Sequence, residues 1–180
     1  FAAEHRLKIG TIADLIGYRS RNESLVQRML ERDIRTAWGE FRMLSYRDLA
    51  LGSIHIALVL GKMNAADETL VRVHEPLSIV DLLDAGPGTH SWGVGEALET
   101  IRRAGKGVMV LLNCTQSTES LQARLSERRD AGTPPARTGR NIDLRLYGIG
   151  AQILRDLGVG RMRLMAAPRK MPSMTGFGLE

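Results

Sequence analysis

The chain is poor in cysteine and in aromatic residues. Of its 180 residues one is a cysteine, Cys114, and 4% are aromatic. A single cysteine excludes an internal disulfide framework and is typical of a reducing compartment, so we expect a cytoplasmic protein. No apolar run approaches the roughly 20 residues of a membrane span, and the first residues lack the apolar region of a signal peptide. We therefore expect no membrane partner. Because the chain opens on Phe1, we also expect it to belong to a longer protein.

Charged residues are plentiful and mixed in sign. They make up 25% of the chain beside 43% hydrophobic residues, and the formal net charge is +5. This balance is ordinary for one globular domain with room for a helical appendage. The basic stretch 124–130 carries acids beside its bases, and it has no interleaved aromatic residues on which nucleic-acid bases could stack. We expect no nucleic-acid partner, since scattered arginines suit a phosphate-bearing small ligand better.

Hydrophobic spacing predicts helices alternating with strands after residue 33. The first segment, 11–32, reads as helical, with Thr11 as N-cap and Asp14 completing a capping box. Further helices are predicted at 77–83, 93–104, 117–129 and 143–157, the last ending before Gly158. Strands are predicted as a pair within 36–45 turning near Gly39, and at 54–61, 69–74, 107–114 and 161–166. This order predicts an α/β or α+β fold, a mixed sheet flanked by helices, with an N-terminal helical extension.

Three stretches carry a family resemblance. The stretch 141–158 reads NIDLRLYGIGAQILRDLG and 71–75 reads VRVHE, and both resemble GTP cyclohydrolase II. The stretch 7–19 reads LKIGTIADLIGYR and resembles the C-terminal end of 3,4-dihydroxy-2-butanone 4-phosphate synthase. In many bacteria these two enzymes of riboflavin biosynthesis are fused in that order. The resemblance implies the C-terminal part of such a fusion, with residues 1–32 as the tail of the synthase domain and a linker, and residues 33–180 as the cyclohydrolase-like domain.

The family's reaction implies zinc and magnesium. It opens the imidazole ring of GTP, releasing formate and pyrophosphate, and a zinc ion held by three cysteines activates the water. At the matching positions this chain has Pro76, Gly88 or Thr89, and His90. Other donors are present, His74, Asp84 and Cys114 among them, but their spacing fits no common zinc pattern. We therefore expect no metal and no cofactor, while a rebuilt zinc site remains the alternative.

Four residues match functional positions of the family. Asp143 and Arg145 match its acid and its arginine nucleophile, Arg72 matches an arginine on the base side of the substrate, and Lys170 matches a lysine that contacts substrate. Two of them have a plainer interpretation as well. Asp143 also suits a helix N-cap or first-turn acid, and Arg72 also suits a solvated strand edge. The phosphate motif that the family carries after its central strand is replaced here by residues 116–120.

A kept scaffold with a lost metal site predicts a domain without cyclohydrolase activity. Its role would be structural, oligomerising or regulatory, with an N-terminal synthase domain, a second copy, and GTP or another nucleotide as partners. The alternative is a GTP cyclohydrolase II with complete or partial turnover, using Asp143, Arg145 and a rebuilt metal site. Two details accompany this interpretation. Gly148 and Gly150 predict a close backbone approach to another element, and the apolar stripe of the first helix is expected to pack on this domain or on another copy.

Overall fold

The computed structural model describes residues 1–74, 92–113, 144–167, 174 and 177–180. In these residues the strands are β1 (Val26–Thr36), β2 (Gly39–Asp48), β3 (Ile54–Leu60), β4 (Glu68–His74), β5 (Gly107–Leu111) and β6 (Arg161–Leu164). The helices are α1 (Ile12–Asn22), α2 (Val94–Ala104) and α3 (Leu144–Asp156). The predicted elements at 77–83, 117–129 and the loop after them lie outside the described residues.

The strands form one mixed sheet in the order β1-β2-β3-β5-β4-β6. The first four of these are antiparallel neighbours, whereas β4 runs parallel to both β5 and β6. Helix α3 packs on one face of the sheet through Leu146, Ile149 and Ile153. Helix α2 packs on the other face through Leu98 and Ile101. The predicted α+β fold, a mixed sheet flanked by helices, is confirmed.

The central strands owe their position to continuous apolar runs. Every residue of β5 is buried, as expected for a strand covered on both faces by helices. At the end of α3, Gly158 adopts φ +84°. Its N–H donates to the carbonyl of Arg155, and the N–H of Val159 donates to that of Leu154, so the helix ends in a Schellman motif. The predicted stop at Gly158 is confirmed.

The predicted helix over 11–32 is correct only in its first half. The capping box of Thr11 and Asp14 is present, but α1 ends at Asn22. From Val26 the chain is extended and pairs with β2 over its whole length. Met29 and Leu30 are 53% and 51% exposed, so their helical spacing marked no buried face. Pairing with β2 overrides the local pattern here, as tertiary context commonly does.

Three apolar residues of α1 are exposed to solvent. Ile12 is 79% exposed, Leu15 57% and Tyr18 61%. These three residues therefore do not show the expected packing on this domain, and packing of the stripe on another copy stays a prediction. None of the described helices is long and apolar enough to cross a membrane.

The glycines of α3 have more room than their positions in the sequence suggest. A Cβ added to Gly148 or Gly150 would meet only side-chain atoms, the nearest at 3.4 Å, which is ordinary contact. The predicted close backbone approach at these two glycines is therefore wrong. It occurs instead at Gly160, whose added Cβ would lie 2.9 Å from the Cα of Ala65 and closer still to the carbonyl oxygen of Ala65.

Candidate functional site

The first turn of α3 holds Arg145 against the end of β2. Its Nη2 donates to both carboxylate oxygens of Asp48, at 2.5 Å and 2.6 Å. The Asp48 side chain is 1% exposed and that of Arg145 is 30% exposed. A cation in a first helical turn opposes the helix dipole, and from Leu144, where the described part of α3 begins, the first turn contains no acid. The carboxylate of Asp48 supplies the missing negative charge.

Asp48 is itself held by the loop that follows β2. Its Oδ1 accepts from the backbone N–H groups of Ala50 and Leu51, at 2.8 Å and 3.1 Å. Burial raises the pKa of Asp48, but these two N–H groups and the Arg145 guanidinium outweigh burial and hold that pKa below its usual value. Asp48 is therefore a fixed anion and a poor proton acceptor.

A buried histidine lies beside this ion pair. His55 pairs with Tyr46 across β2 and β3 and is fully buried. Its Nδ1 accepts from the backbone N–H of Asn113 at 3.0 Å, which places the proton of the neutral ring on Nε2. Among the described residues Nε2 has no hydrogen-bond partner. Burial lowers the pKa of His55, the charge of Arg145 lowers it further, and the charge of Asp48 opposes both.

Asn113 reaches His55 through an uncommon backbone conformation. It follows β5 and has φ +49°, the left-handed region that asparagine tolerates better than most residues. This turn directs the N–H of Asn113 to the imidazole of His55. The end of β5, the end of β2 and the start of α3 thus meet in one polar cluster of Asp48, His55, Asn113 and Arg145.

Arg72 lies elsewhere in the molecule. It belongs to β4 and is 4% exposed, so the interpretation as a solvated strand edge is wrong. Its Nη1 donates to the carbonyl of Met165 at 2.9 Å and its Nη2 to that of Trp92 at 3.0 Å. Both of these residues belong to the cluster on the α2 side of the sheet, whereas Arg145 is on the α3 side. The described structure does not bring Arg72 and Arg145 together.

A second polar cluster joins α3 to the segment between α1 and β1. Gln152, 9% exposed, accepts from the N–H of Leu25 at 2.6 Å and donates to the carbonyl of Glu23 at 3.0 Å. One turn later, Asp156 accepts from Arg28 at 2.6 Å and from the Tyr46 hydroxyl at 2.6 Å. Residues 152 and 156 are four apart and so share one face of α3. We call this arrangement the α3 joint.

The α3 joint borders an open cavity of about 270 Å³. The cavity is lined by residues from both sides of the joint, Glu23, Ser24, Val26, Arg28, Tyr46, Gln152, Arg155 and Asp156. Burial, together with the hydrogen bond to Asp156, raises the pKa of Tyr46, so this phenol stays protonated as a donor. Sequence reasoning missed the joint. The one available signal was an amide at a buried position of α3, because a buried amide needs partners.

A family model named GTP cyclohydrolase II matches residues 27–180. The chain belongs to the GTP cyclohydrolase II family. The match begins one residue after the start of β1 and runs to the end of the chain. It therefore covers the sheet, α2 and α3 but not α1, which leaves the expected division into a tail of 1–32 and a domain of 33–180 as a prediction.

Two relatives named for riboflavin biosynthesis or for one of its enzymes are about twice as long as this chain. A 3,4-dihydroxy-2-butanone 4-phosphate synthase of Neisseria meningitidis serogroup B is 47% identical over 180 residues, which is 100% of this chain and 48% of that protein. The riboflavin biosynthesis protein RibBA of Aquifex aeolicus is 39% identical over 188 residues, 100% of this chain and 46% of that protein. The chain thus spans about half the length of these curated relatives.

A solved structure also matches this whole chain with about half of its own length. The crystal structure of RibBX, a two-domain 3,4-dihydroxy-2-butanone 4-phosphate synthase from A. baumannii, matches with a TM-score of 0.60 and 37% identity. The match covers 100% of this chain and 46% of that one. The prediction that the chain is half of a fusion of the synthase with a cyclohydrolase is wrong: the relatives at 47% and 37% identity are named for the synthase alone, and the chain resembles a domain of such a synthase.

The three-cysteine zinc site that the GTP cyclohydrolase II family implies does not fit the sequence of this chain. The matching positions Pro76 and Gly88 or Thr89 offer no thiolate, and Cys114 is the only cysteine. Three soft sulfur ligands, the set that the family's zinc site requires, cannot be assembled. The described residues contain no group of three or more His, Cys, Asp or Glu placed to hold a metal ion.

Several predicted site residues cannot be placed. Asp143, Lys170, Asp84 and His90 lie outside the described residues, as does Cys114. The matched roles of Asp143 and Lys170 therefore remain predictions. His74 is described, and it is a buried residue at the end of β4, 1% exposed.

Proposed function

We propose that this chain is a GTP cyclohydrolase II-like domain that has lost cyclohydrolase activity and serves a structural or regulatory role in a riboflavin-biosynthesis protein. The observation that carries the proposal is the Asp48–Arg145 pair. An arginine acts as a nucleophile only when a neighbouring base removes its proton. Asp48, with its lowered pKa, is a poor proton acceptor and does not supply such a base. Arg145 is then an anchor for α3 rather than a reactive group.

The sequence of the metal positions supports the same proposal. Ring opening needs a water activated by zinc, and the chain has one cysteine where the family uses three. A domain with an anchored arginine and without three thiolate ligands keeps the fold of the family. It lacks both the arginine nucleophile and the zinc-activated water that the family's reaction uses. We therefore propose that the domain needs neither zinc nor magnesium.

The proposed partner is an N-terminal synthase domain of the same protein. The two-domain synthase from A. baumannii supports this, since the present chain corresponds to 46% of it. The α3 joint adds a physical argument, because Gln152 binds the backbone of Glu23 and of Leu25, on either side of Ser24, on the path that leads from α1 into the sheet. The segment that leads from an N-terminal domain into the sheet is thus held to α3 at residues 23 and 25. The proposal includes a cytoplasmic location, homodimers, and GTP or another nucleotide as a possible ligand.

Product analysis tests the loss of activity. The chain is incubated with GTP, magnesium and added zinc, and pyrophosphate and formate are measured beside a family member that retains three cysteines. We expect neither product from this chain and both from the control. Release of pyrophosphate alone would show that partial turnover survives, and Arg145→Ala should then abolish it. Release of both products would overturn the proposal in favour of a rebuilt metal site.

A further inference from the structure

The two edges of the sheet are protected very differently. At the β6 edge, a strand of four residues, the end of the chain covers the backbone: the N–H of Met162 donates to the carbonyl of Glu180 at 2.7 Å, and the N–H of Glu180 donates to that of Gly160 at 2.9 Å. At the other edge, β1 is eleven residues long and pairs only with β2 among the described strands. A long open edge is a template for pairing with another strand.

The usable part of this edge is its second half. The register of β1 against β2 shifts between Arg28 and Leu30, and such a bulge bends and twists the strand. Arg28 is also held by Asp156 at the α3 joint. From Glu31 to Thr36 the pairing with β2 is regular, so these residues present an uninterrupted edge away from the joint.

The sequence of this half is complementary to itself in one register. Two copies pairing antiparallel about a two-fold axis keep each face of the sheet continuous, so residues of like alternation oppose each other. With Ile34 on the axis, Ile34 opposes its copy, and Asp33 of each strand opposes Arg35 of the other. Opposite charges in such cross-strand pairs are favourable.

The neighbouring registers are unfavourable for the same reason. Moving the axis to Asp33 sets one aspartate against another, which offsets the Glu31–Arg35 contacts of that register, and moving it to Arg35 sets one arginine against another with no opposite-charge contact. Like charges directly opposite each other are destabilising. In the single chain Arg35 donates to Glu40 at 2.7 Å, with side chains 83% and 71% exposed. A surface ion pair of this kind is weak and can exchange partners.

We propose that the β1 edge pairs antiparallel with the β1 edge of a second copy, centred on Ile34 and selected by the Asp33–Arg35 contacts. The pairing extends the six-stranded sheet across the two-fold axis. The contact is short, because it involves about five residues from each strand, so the dimer is weak and depends on protein concentration. The inference rests on the homodimer included in the proposed function, but it does not depend on whether the domain turns over GTP.

Sedimentation velocity over a wide concentration range tests the pairing. The parent chain should show a concentration-dependent dimer. Asp33→Arg and Arg35→Asp each set like charges opposite one another and should weaken self-association at least about ten-fold. The two single variants mixed in equal amounts should form a mixed dimer, because every opposed pair is then oppositely charged, and the double variant should regain the affinity of the parent.

The controls separate pairing from folding and from activity. Each single variant also sets a like charge opposite its own partner on β2, Arg42 for Asp33→Arg and Glu40 for Arg35→Asp, so each should unfold slightly below the parent. Self-association is therefore compared at a temperature at which every variant is fully folded. Arg103→Asp, a charge reversal on an exposed residue of α2, should leave self-association unchanged. A parent chain that stays monomeric throughout would overturn the proposal. So would single variants that associate as the parent does, since the dimer would then use another surface. Assays of GTP turnover test the proposed loss of activity independently of these association measurements.

Discussion

Replacing Arg145 by methionine tests the Asp48–Arg145 pair directly. The substitution keeps much of the apolar stem and removes both hydrogen bonds to the Asp48 carboxylate. That carboxylate would remain buried with only the N–H groups of Ala50 and Leu51 as donors. We therefore expect the variant to fold with α3 less firmly attached to the end of β2.

The expected loss in the free energy of unfolding follows from the burial of Asp48 and Arg145. Removing one member of a fully buried ion pair costs about 3–5 kcal/mol. Arg145 is 30% exposed, so water can reach the vacated place and the cost should fall to about 2–3 kcal/mol. In a chain of this size each kcal/mol shifts Tm by about 2–4 °C, which predicts a fall of roughly 4–12 °C.

Urea and thermal unfolding followed by circular dichroism measure this loss. Arg145→Lys should be intermediate, because an ammonium lacks the planar fork of a guanidinium, and Arg103→Met is the matched control on an exposed helix face. The contribution of the pair to the free energy of unfolding should also change with pH in a defined direction. The pKa of Asp48 is lowered on folding, so the pair stabilises fully above the ordinary aspartate pKa near 4, and its contribution disappears as pH falls through the lower folded value.

Two results would refute this reasoning. If Arg145→Met unfolds within about 0.5 kcal/mol of the parent, the range of ordinary surface substitutions, the ion pair does not anchor α3. If the variant keeps its stability but loses a measurable turnover of GTP, Arg145 acts on substrate, and the proposed loss of activity is wrong as well.

Three further predictions test other parts of the structure. His55→Gln should make the stability less sensitive to acid, because the pKa of His55 is lowered on folding and the unfolded chain therefore binds more protons below about pH 6.5. In that range the free energy of unfolding of the parent should fall by up to about 1.4 kcal/mol per pH unit through His55. Urea unfolding at pH 7 and pH 5 should show this loss in the parent and not in the variant. Gly160→Ala should lower the free energy of unfolding by about 2 kcal/mol or more, because the new Cβ meets the backbone of Ala65. Gly150→Ala, a glycine of α3 with room for a Cβ, is the control and should stabilise the chain by up to about 1 kcal/mol. Equal Tm values for the two variants would contradict the contact geometry. Gln152→Leu should speed hydrogen exchange at the amide of Leu25 while leaving exchange in β5 unchanged, and unaltered exchange at that amide would show that the α3 joint does not hold the N-terminal segment.

The elements that local chemistry specifies were predictable, and the strand that depends on a distant partner was not. Five apolar residues bounded by glycine and a polar turn specify β5, and Thr11 with Asp14 specifies the start of α1. Residues 26–32 carry apolar side chains at a spacing that also suits a helix. Their pairing with β2 settles the conformation, and no local signal reveals that pairing.

The candidate site divides in the same way. The resemblance to GTP cyclohydrolase II singled out Arg145, whose matched role stays a prediction, but its partner Asp48 lies 97 positions away along the chain and was not predicted. His55 reads from sequence as one polar residue in an apolar strand. Only the fold sets it beside an ion pair, and only the turn at Asn113 assigns its tautomer.

By itself the amino-acid sequence determined the family, the mixed sheet flanked by helices and the absence of three zinc thiolates, because these depend on residue types and short-range spacing. The tertiary structure decided that Arg145 is held by Asp48, that Arg72 lies buried on the other face, and that Gln152 fixes the path from α1 into the sheet. Each of these contacts joins residues far apart in the chain, and only the packing of α2 and α3 against the two faces of the sheet brings them within hydrogen-bonding distance.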